Sequence, residues 1–376
     1  MPWKESSVKS LRKEFVEFAR NDGNISRLCK RFGISRETGY KWIRRYVSEG
    51  EGALVDRSRR PLNSPGRVCE SIEEIVLKIR SQHPAWGGRK IRRRLQDLNY
   101  SDVPAASTIT AILKRHGVID PFASQKSMGF KRFERQNPND LWQMDFKGHV
   151  ACPEGRCHPL TVLDDHSRYS VVLKACLNER RETVQSSLIE AFRQYGLPNQ
   201  MITDNGPPWG NYPYNRFTKL TIWLIRVGIL ISNSTPGHPE TLGKDERFHR
   251  TLKAELLGES LPWRNAEVQR KFDQWRFEYN HHRPHEALNM EVPARRYQIS
   301  KRNFPEVLSP IEYGPTDIVR KVHDKGIVFF KGQELRVPQA LVGHLIAMRP
   351  REHCDGVFDL YFVRQLVMVI NLNDHD

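Results

Sequence analysis

The chain has 376 residues, with 60 Lys+Arg against 44 Asp+Glu and a formal net charge of +16. A hydrophobic content of 38% is too high for a disordered chain, and the length suits roughly two to three domains that can bury cores without disulfides or structural metal. No apolar run approaches the ~18 residues of a membrane span, the first residues lack the apolar stretch of a signal peptide, and the six cysteines are scattered, so a reducing, cytoplasmic setting without membrane contact is expected.

The positive excess is localised. Residues 1–135 hold 29 Lys+Arg and 15 Asp+Glu, whereas the remainder is nearly balanced. Arg outnumbers Lys there, and its planar fork suits phosphate, so the first third reads as a polyanion-binding region.

Taken in chain order, Val8 to Arg20 has apolar residues at helical spacing. Asn24 or Ser26 can cap a second helix carrying Ile25, Leu28 and Phe32. Gly33-Ile34-Ser35 then makes a turn with an N-cap serine, and a third helix runs from Arg36 to about Val47 with Tyr40, Ile43 and Val47 facing inward. This is a helix-turn-helix pattern over 1–60. The outer face of its third helix offers Arg36, Thr38, Lys41, Arg44 and Arg45 to base edges and phosphates. Asp56 to Pro65 reads as a linker. A second helix-turn-helix or winged-helix unit is expected over 66–120, with helices over Ser71 to Ser81, Arg89 to Leu98 (including Arg92 and Arg93) and Ala105 to Arg115. Residues 121–138 form another basic linker.

From Asp140 the pattern becomes mixed α/β, over 139–300. Leu141 to Phe146, His158 to Asp164, Tyr169 to Leu173, Gln200 to Asp204 and Gly228 to Ser232 read as strands. Glu179 to Tyr195, Tyr214 to Val227, Gly243 to Leu257 and Ala266 to Asn280 read as helices. Short strand-like runs, from Ile327 to Phe330 through Leu366 to Ile370, suggest a small β-barrel or meander over 308–376.

Three acids stand out. Asp145 lies in an apolar strand, where a carboxylate is costly unless paired or bound to a cation. Asp204 ends a strand before a glycine turn. Glu246 lies inside a helix whose buried stripe is Phe248, Leu252 and Leu256; Glu246, Arg250 and Lys253 share another face, with His249 at its flank. Strand ends and a helix can gather three carboxylates in one crevice. Such all-oxygen ligands suit Mg²⁺ or Mn²⁺, and two such ions about 4 Å apart can activate an attacking oxygen and stabilise a leaving one. Asp164 and Asp165 read as turn groups, and Trp209 as a packing residue or a base-stacking platform. The Cys152/Cys157 pair and His281, His282 and His285 lack the partners of a zinc site.

The strings LWQMDF, VLDDHSRY, ITDNGPPWGN, PGHPETLGKDERFHRTLK and YNHHRPHEAL resemble, in order, those of the DDE transposases of bacterial insertion sequences, a group related to retroviral integrases. The resemblance covers most of the chain, from MPWKES through GISRETGYKW and HPAWGGRKIRRRL. It implies a ribonuclease-H-like catalytic core between N-terminal all-α units and a C-terminal small β-barrel. It also implies two Mg²⁺ or Mn²⁺ ions per site, with 3′-end cleavage and strand transfer at transposon ends. By motif, the triad is Asp145, Asp204 and Glu246, with Glu240 and Asp245 as nearby rivals. The 41 residues between Asp204 and Glu246 make an extended connection, with a loop at Pro207 to Pro213. The implied partners are double-stranded DNA, as terminal inverted repeats and target, and further copies of the chain. Two other readings fit the same motifs: a DNA-binding regulator with an inactive core, and a metal-dependent nuclease that does not join strands.

Overall fold

The computed structural model describes residues 8–21, 23–57, 68–119, 134–204, 206–210, 217–233, 243–257, 261–262 and 264–373. The MPWKES start, Glu240, Asn205, most of the two basic linkers and the tip of the Pro207 to Pro213 loop lie outside the described residues. Residues 1–68 and 69–376 form two compact units.

The first unit comprises α1 (Val8–Asn21), α2 (Ile25–Phe32) and α3 (Arg36–Glu49), closed by a short 3₁₀ turn, Glu51–Leu54. The Asn24 side chain caps α2 by accepting from Arg27 N, and Ser35 caps α3 by accepting from Thr38 N. Gly33 makes the turn between them at φ 64°, a conformation that disfavours side chains with a Cβ. Phe15, Val16, Leu28, Cys29, Trp42 and Leu54 form the core. Tyr40 and Val47, expected inside, are 47% and 76% exposed. The inward stripe of α3 is instead Gly39, Trp42, Ile43 and Tyr46, at the spacing of one helical face. Gly39 sits where α3 crosses its neighbours: a Cβ there would lie 2.7 Å from Cys29 Sγ and 2.9 Å from Phe15 Cζ.

The second unit opens with α4 (Glu70–Gln82), α5 (Gly88–Asp97) and α6 (Ala106–Arg115). Val76, Ile91, Leu95, Ile109 and Leu113 are buried between them. The buried Glu73 carboxylate is paired with Arg115.

The central sheet contains β1 (Leu141–Phe146), β2 (Val150–Cys152), β3 (Gly155–Asp164), β4 (Ser170–Cys176), β5 (Gln200–Thr203) and β6 (Leu230–Asn233). β1, β3 and β4 pair antiparallel, and β1, β5 and β6 pair parallel. This mixed sheet, with helices on both faces, bears out the ribonuclease-H-like expectation. Alternation along β1 sends Trp142 and Met144 into the cluster built with α7 (Arg181–Tyr195) and α8 (Lys219–Arg226). Gln143 and Asp145 therefore face the other side, where α9 (Gly243–Leu252) and α10 (Asn265–His281) pack through Phe248, Leu252, Phe272 and Trp275 on Leu163 and Leu173. A π-helical turn, Lys253–Leu257, extends α9.

The C-terminal part contains β7 (Ile318–Lys321), β8 (Ile327–Phe330), β9 (Gln333–Arg336), β10 (Leu345–Pro350), β11 (Val357–Phe362) and β12 (Gln365–Asn371). They pair as a four-stranded antiparallel sheet, β12-β11-β10-β7, and a β8-β9 hairpin. Their buried side chains merge with those under the central sheet, and the Gln365 side chain accepts from Ile231 N on β6 at 2.9 Å. Among the described residues, no helix is long and apolar enough to cross a membrane.

Candidate active site

Asp145 lies near the C-terminal end of β1 and Asp204 just past the end of β5. The parallel register pairs Gln143 with Ile202, so continuing it by two residues sets Asp145 level with Asp204. Burial, then the charge of Asp204, push the Asp145 carboxyl up to about 7, although its Oδ1 accepts from Phe146 N at 2.8 Å. Asp204 is also raised by burial, and Gly206 N donates to its Oδ1 at 3.1 Å. Glu179 raises both carboxyls further, while the His158 ring lies 2.8 Å from Glu179 through Nδ1.

The start of α9 closes the site. Gln143 Oε1 accepts from Asp245 N at 3.1 Å, which fixes the rotation of the helix. Asp245 is 1% exposed, and its carboxyl is raised by burial first and then by Asp145. His249 is 7% exposed, and burial depresses its imidazole to about 3, so the ring is neutral. The Thr161 hydroxyl lies 2.8 Å from His249 Nε2 and within reach of both Asp245 oxygens and the Asp145 carbonyl. It has one proton and so donates to only one of these at a time. Ligand atoms of Asp145, Asp245 and His249 lie within 4.8 Å of one another.

His249, expected at the flank of an exposed face, is thus buried against the sheet. Glu246, one residue after Asp245, is exposed, as are Arg250 and Lys253. Thr161 and Glu179 are groups that the motifs do not single out. Asp245 and His249, at i and i+4 on α9, carry a signal in their spacing.

Carboxyls crowded and desolvated enough to favour their protonated forms are what a divalent cation would relieve, so the donor set fits the expected metal. Asp145, Asp245 and His249 are the group that could hold an ion, with two carboxylates and an imidazole nitrogen, and Asp204 would add an oxygen from the neighbouring strand end.

Asp164 and Asp165 stabilise the turn after β3, as expected. Asp164 accepts from Ser167 N at 2.8 Å and Asn139 N at 2.7 Å, and Asp165 accepts from Arg135 N at 2.8 Å. Trp209 is 1% exposed and stacks on Phe146, so it packs. Among the nucleic-acid candidates, Arg36, Lys41, Arg44 and Arg92 are exposed. Thr38 is engaged with Ser35 at 2.9 Å, Arg45 lies over the Trp42 ring, and Arg93 pairs with Asp97 at 3.0 Å.

Known families match successive parts of the chain. Two models described as Integrase core domain match residues 135–239 and 227–293. A Helix-turn-helix domain matches 11–61, a Homeodomain-like domain 38–113, and the IS481 family transposase, C-terminal domain, 317–376. Fold and matches together define an integrase-core protein with helix-turn-helix units ahead of the core. The chain is 30% identical over 241 residues to an uncharacterized 39.2 kDa protein of insertion element IS476 from Xanthomonas euvesicatoria, covering 61% of this chain. It is 23% identical over 362 residues to the transposase for transposon Tn552 of Staphylococcus aureus, covering 81% of this chain and 71% of that one. Together the integrase core, the transposase C-terminal domain and the insertion-element relatives support a DDE transposase of an insertion sequence. It spans 66% of the IS476 protein and 54% of a 31.7 kDa protein of insertion element IS407 from Burkholderia multivorans, which is 27% identical over 42% of this chain. Among solved structures, the HTLV-2 integrase catalytic core domain in complex with magnesium is similar at 17% identity and a TM-score of 0.34, over 43% of this chain and 99% of that one.

Proposed function

We propose that the protein binds the terminal inverted repeats of its element, cleaves their 3′ ends and transfers those ends to target DNA. The observation that carries this reading is the pair Asp145 and Asp204, level on neighbouring parallel strands and both raised in pKa. Asp145, Asp204 and Glu246 would hold two Mg²⁺ or Mn²⁺ ions. Bound there, such ions supply the Lewis acidity that activates an attacking oxygen and stabilises the leaving oxygen of a phosphodiester. The chain's own part is to position the strand. Arg250 and Lys253 present cations beside Glu246; Arg36, Lys41 and Arg44 on α3, with Thr38 and Arg45 on the same helix, contact the repeat, and Arg92 and Arg93 on α5 contact DNA as well. No nucleophilic side chain is required. Joining two ends requires at least two protomers on the DNA.

The test incubates the full chain with labelled inverted-repeat DNA and Mg²⁺. Cut ends and joined products are expected. Binding without cutting would favour a regulator, and cutting without joining would favour a nuclease.

A further inference from the structure

On the face of α9 formed by Lys244, Arg247 and Thr251, turned away from Asp245 and His249, a cavity of about 440 Å³ opens. Lys90 of α5, Arg168 after β3, and Arg283 and His285 after α10 also line it. Three of these cations are already matched: Lys244 by Asp165, Arg168 by Glu134 and Arg283 by Glu255. Lys90 and Arg247 have neither a hydrogen-bonded nor an ion-paired acid among the described residues. The lining acid, Glu286, pairs at 3.8 Å with Arg89 outside the cavity. His285 is 8% exposed, and its buried Nε2 has no hydrogen-bond partner. Two cations without an ion-paired acid and an unpartnered imidazole nitrogen around one cavity make a binding site for a tetrahedral oxyanion.

We propose that this cavity binds a phosphate group of the DNA backbone, gripped by Lys90 and Arg247, with Thr251 and His285 at its wall. The proposal rests on the reading that the chain acts on DNA, and assigns that DNA a second hold behind the catalytic helix. Because Lys90 belongs to the second helical unit and Arg247 to α9, one phosphate there would tie the helical unit to the catalytic helix. The state of the free pocket agrees. Burial and the neighbouring Arg283 lower the Lys90 ammonium to about 8, and burial with Arg283, Lys90 and Arg168 holds His285 far below the usual imidazole range. An incoming anion would offset the repulsion among these cations.

The test compares the full chain with a Lys90→Gln/Arg247→Gln double variant. Binding of a labelled DNA duplex is followed over a salt series, and thermal stabilisation by pyrophosphate is measured alongside. Loss of one phosphate contact should weaken DNA binding about tenfold at physiological salt and lower the log–log salt slope by about one. Pyrophosphate should stabilise the parent and not the variant, and a charge-preserving Lys90→Arg/Arg247→Lys protein should recover both properties. A parent that binds DNA with a variant of unchanged affinity and slope would overturn the proposal. If the parent binds no DNA, the DNA reading itself fails. Pyrophosphate then decides the pocket: stabilisation confined to the parent retains a site for free polyphosphate, and equal stabilisation of both proteins removes it.

Discussion

His249 Nε2 lies 3.4 Å from Asp245 Oδ2, one turn further along the same helix, with both side chains buried. His249 Nδ1 is also 4.0 Å from Asp145 Oδ2. The ring therefore stands between the carboxyl from β1 and the carboxyl from α9. As a neutral group it separates two acids without compensating either. The arrangement is a site strained by its own charges, as expected where a cation must be recruited.

Asp145→Asn should retain DNA binding and lose cutting. Outer partners of metal ligands are worth about 10–100-fold, so loss of a ligand should cost more than roughly a hundredfold in cleavage rate. Parallel gel-shift and end-cleavage assays check this, and normal cutting by the variant would remove Asp145 from the site.

Glu246 and Asp245 are separable by substitution. Glu246→Gln should abolish Mg²⁺-dependent cutting and leave the melting temperature of the metal-free protein nearly unchanged, because the side chain is exposed. Asp245→Asn should raise that melting temperature, because a carboxyl whose pKa is raised by burial and by Asp145 costs stability as the pH rises above its ordinary value and an amide does not. If Asp245→Asn abolishes cutting while Glu246→Gln does not, the third carboxylate is Asp245.

Lys90 gives a stability effect with a defined pH window. Its folded pKa, about 8, lies below its ordinary 10.5, so the unfolded chain binds more protons between these values and stability rises across them. Below pH 8 the cost of burying the charge is fully present. Arg283 and Arg247 add to that cost, while Glu255 and Glu286 offset part of it. Lys90→Met should stabilise the DNA-free protein by on the order of 2–3 kcal/mol at pH 7, with the gain fading towards pH 10. Denaturant titrations at the two pH values measure it.

Gly39→Ala opposes two effects. Alanine favours a helix by about 1 kcal/mol, but overpacking costs about 1–3 kcal/mol. Here the new methyl would meet Cys29 and Phe15 below 3 Å. Packing should win, destabilising the first unit, and hydrogen exchange of the α3 amides should quicken accordingly.

The sequence makes the candidate strand legible because Asp145 interrupts an otherwise apolar run, and makes Asp204 legible because a glycine turn follows it. It does not disclose Glu179, whose approach to both acids depends on how β4 leads into α7. Nor does it disclose the burial of Asp245 and His249. Periodicity assigns α9 an apolar stripe, but the rotation of the helix is fixed by a hydrogen bond from Asp245 N to Gln143, a contact 102 residues apart. Tyr40 and Val47 illustrate the same limit: their spacing is helical, yet the face that docks is set by the gap that Gly39 leaves. The short β2 and β7 lack the alternation that would announce them.

The bond from Ile231 to Gln365 bears on how the protein can be dissected. β6 is the border strand of the central sheet, and one of its amides is satisfied by the Gln365 side chain at the start of β12. A fragment truncated near residue 300 would bare this border together with the greasy underside shared with the last strands, inviting strand-to-strand aggregation. Autonomous folding of the catalytic portion thus extends to its C-terminal sheet.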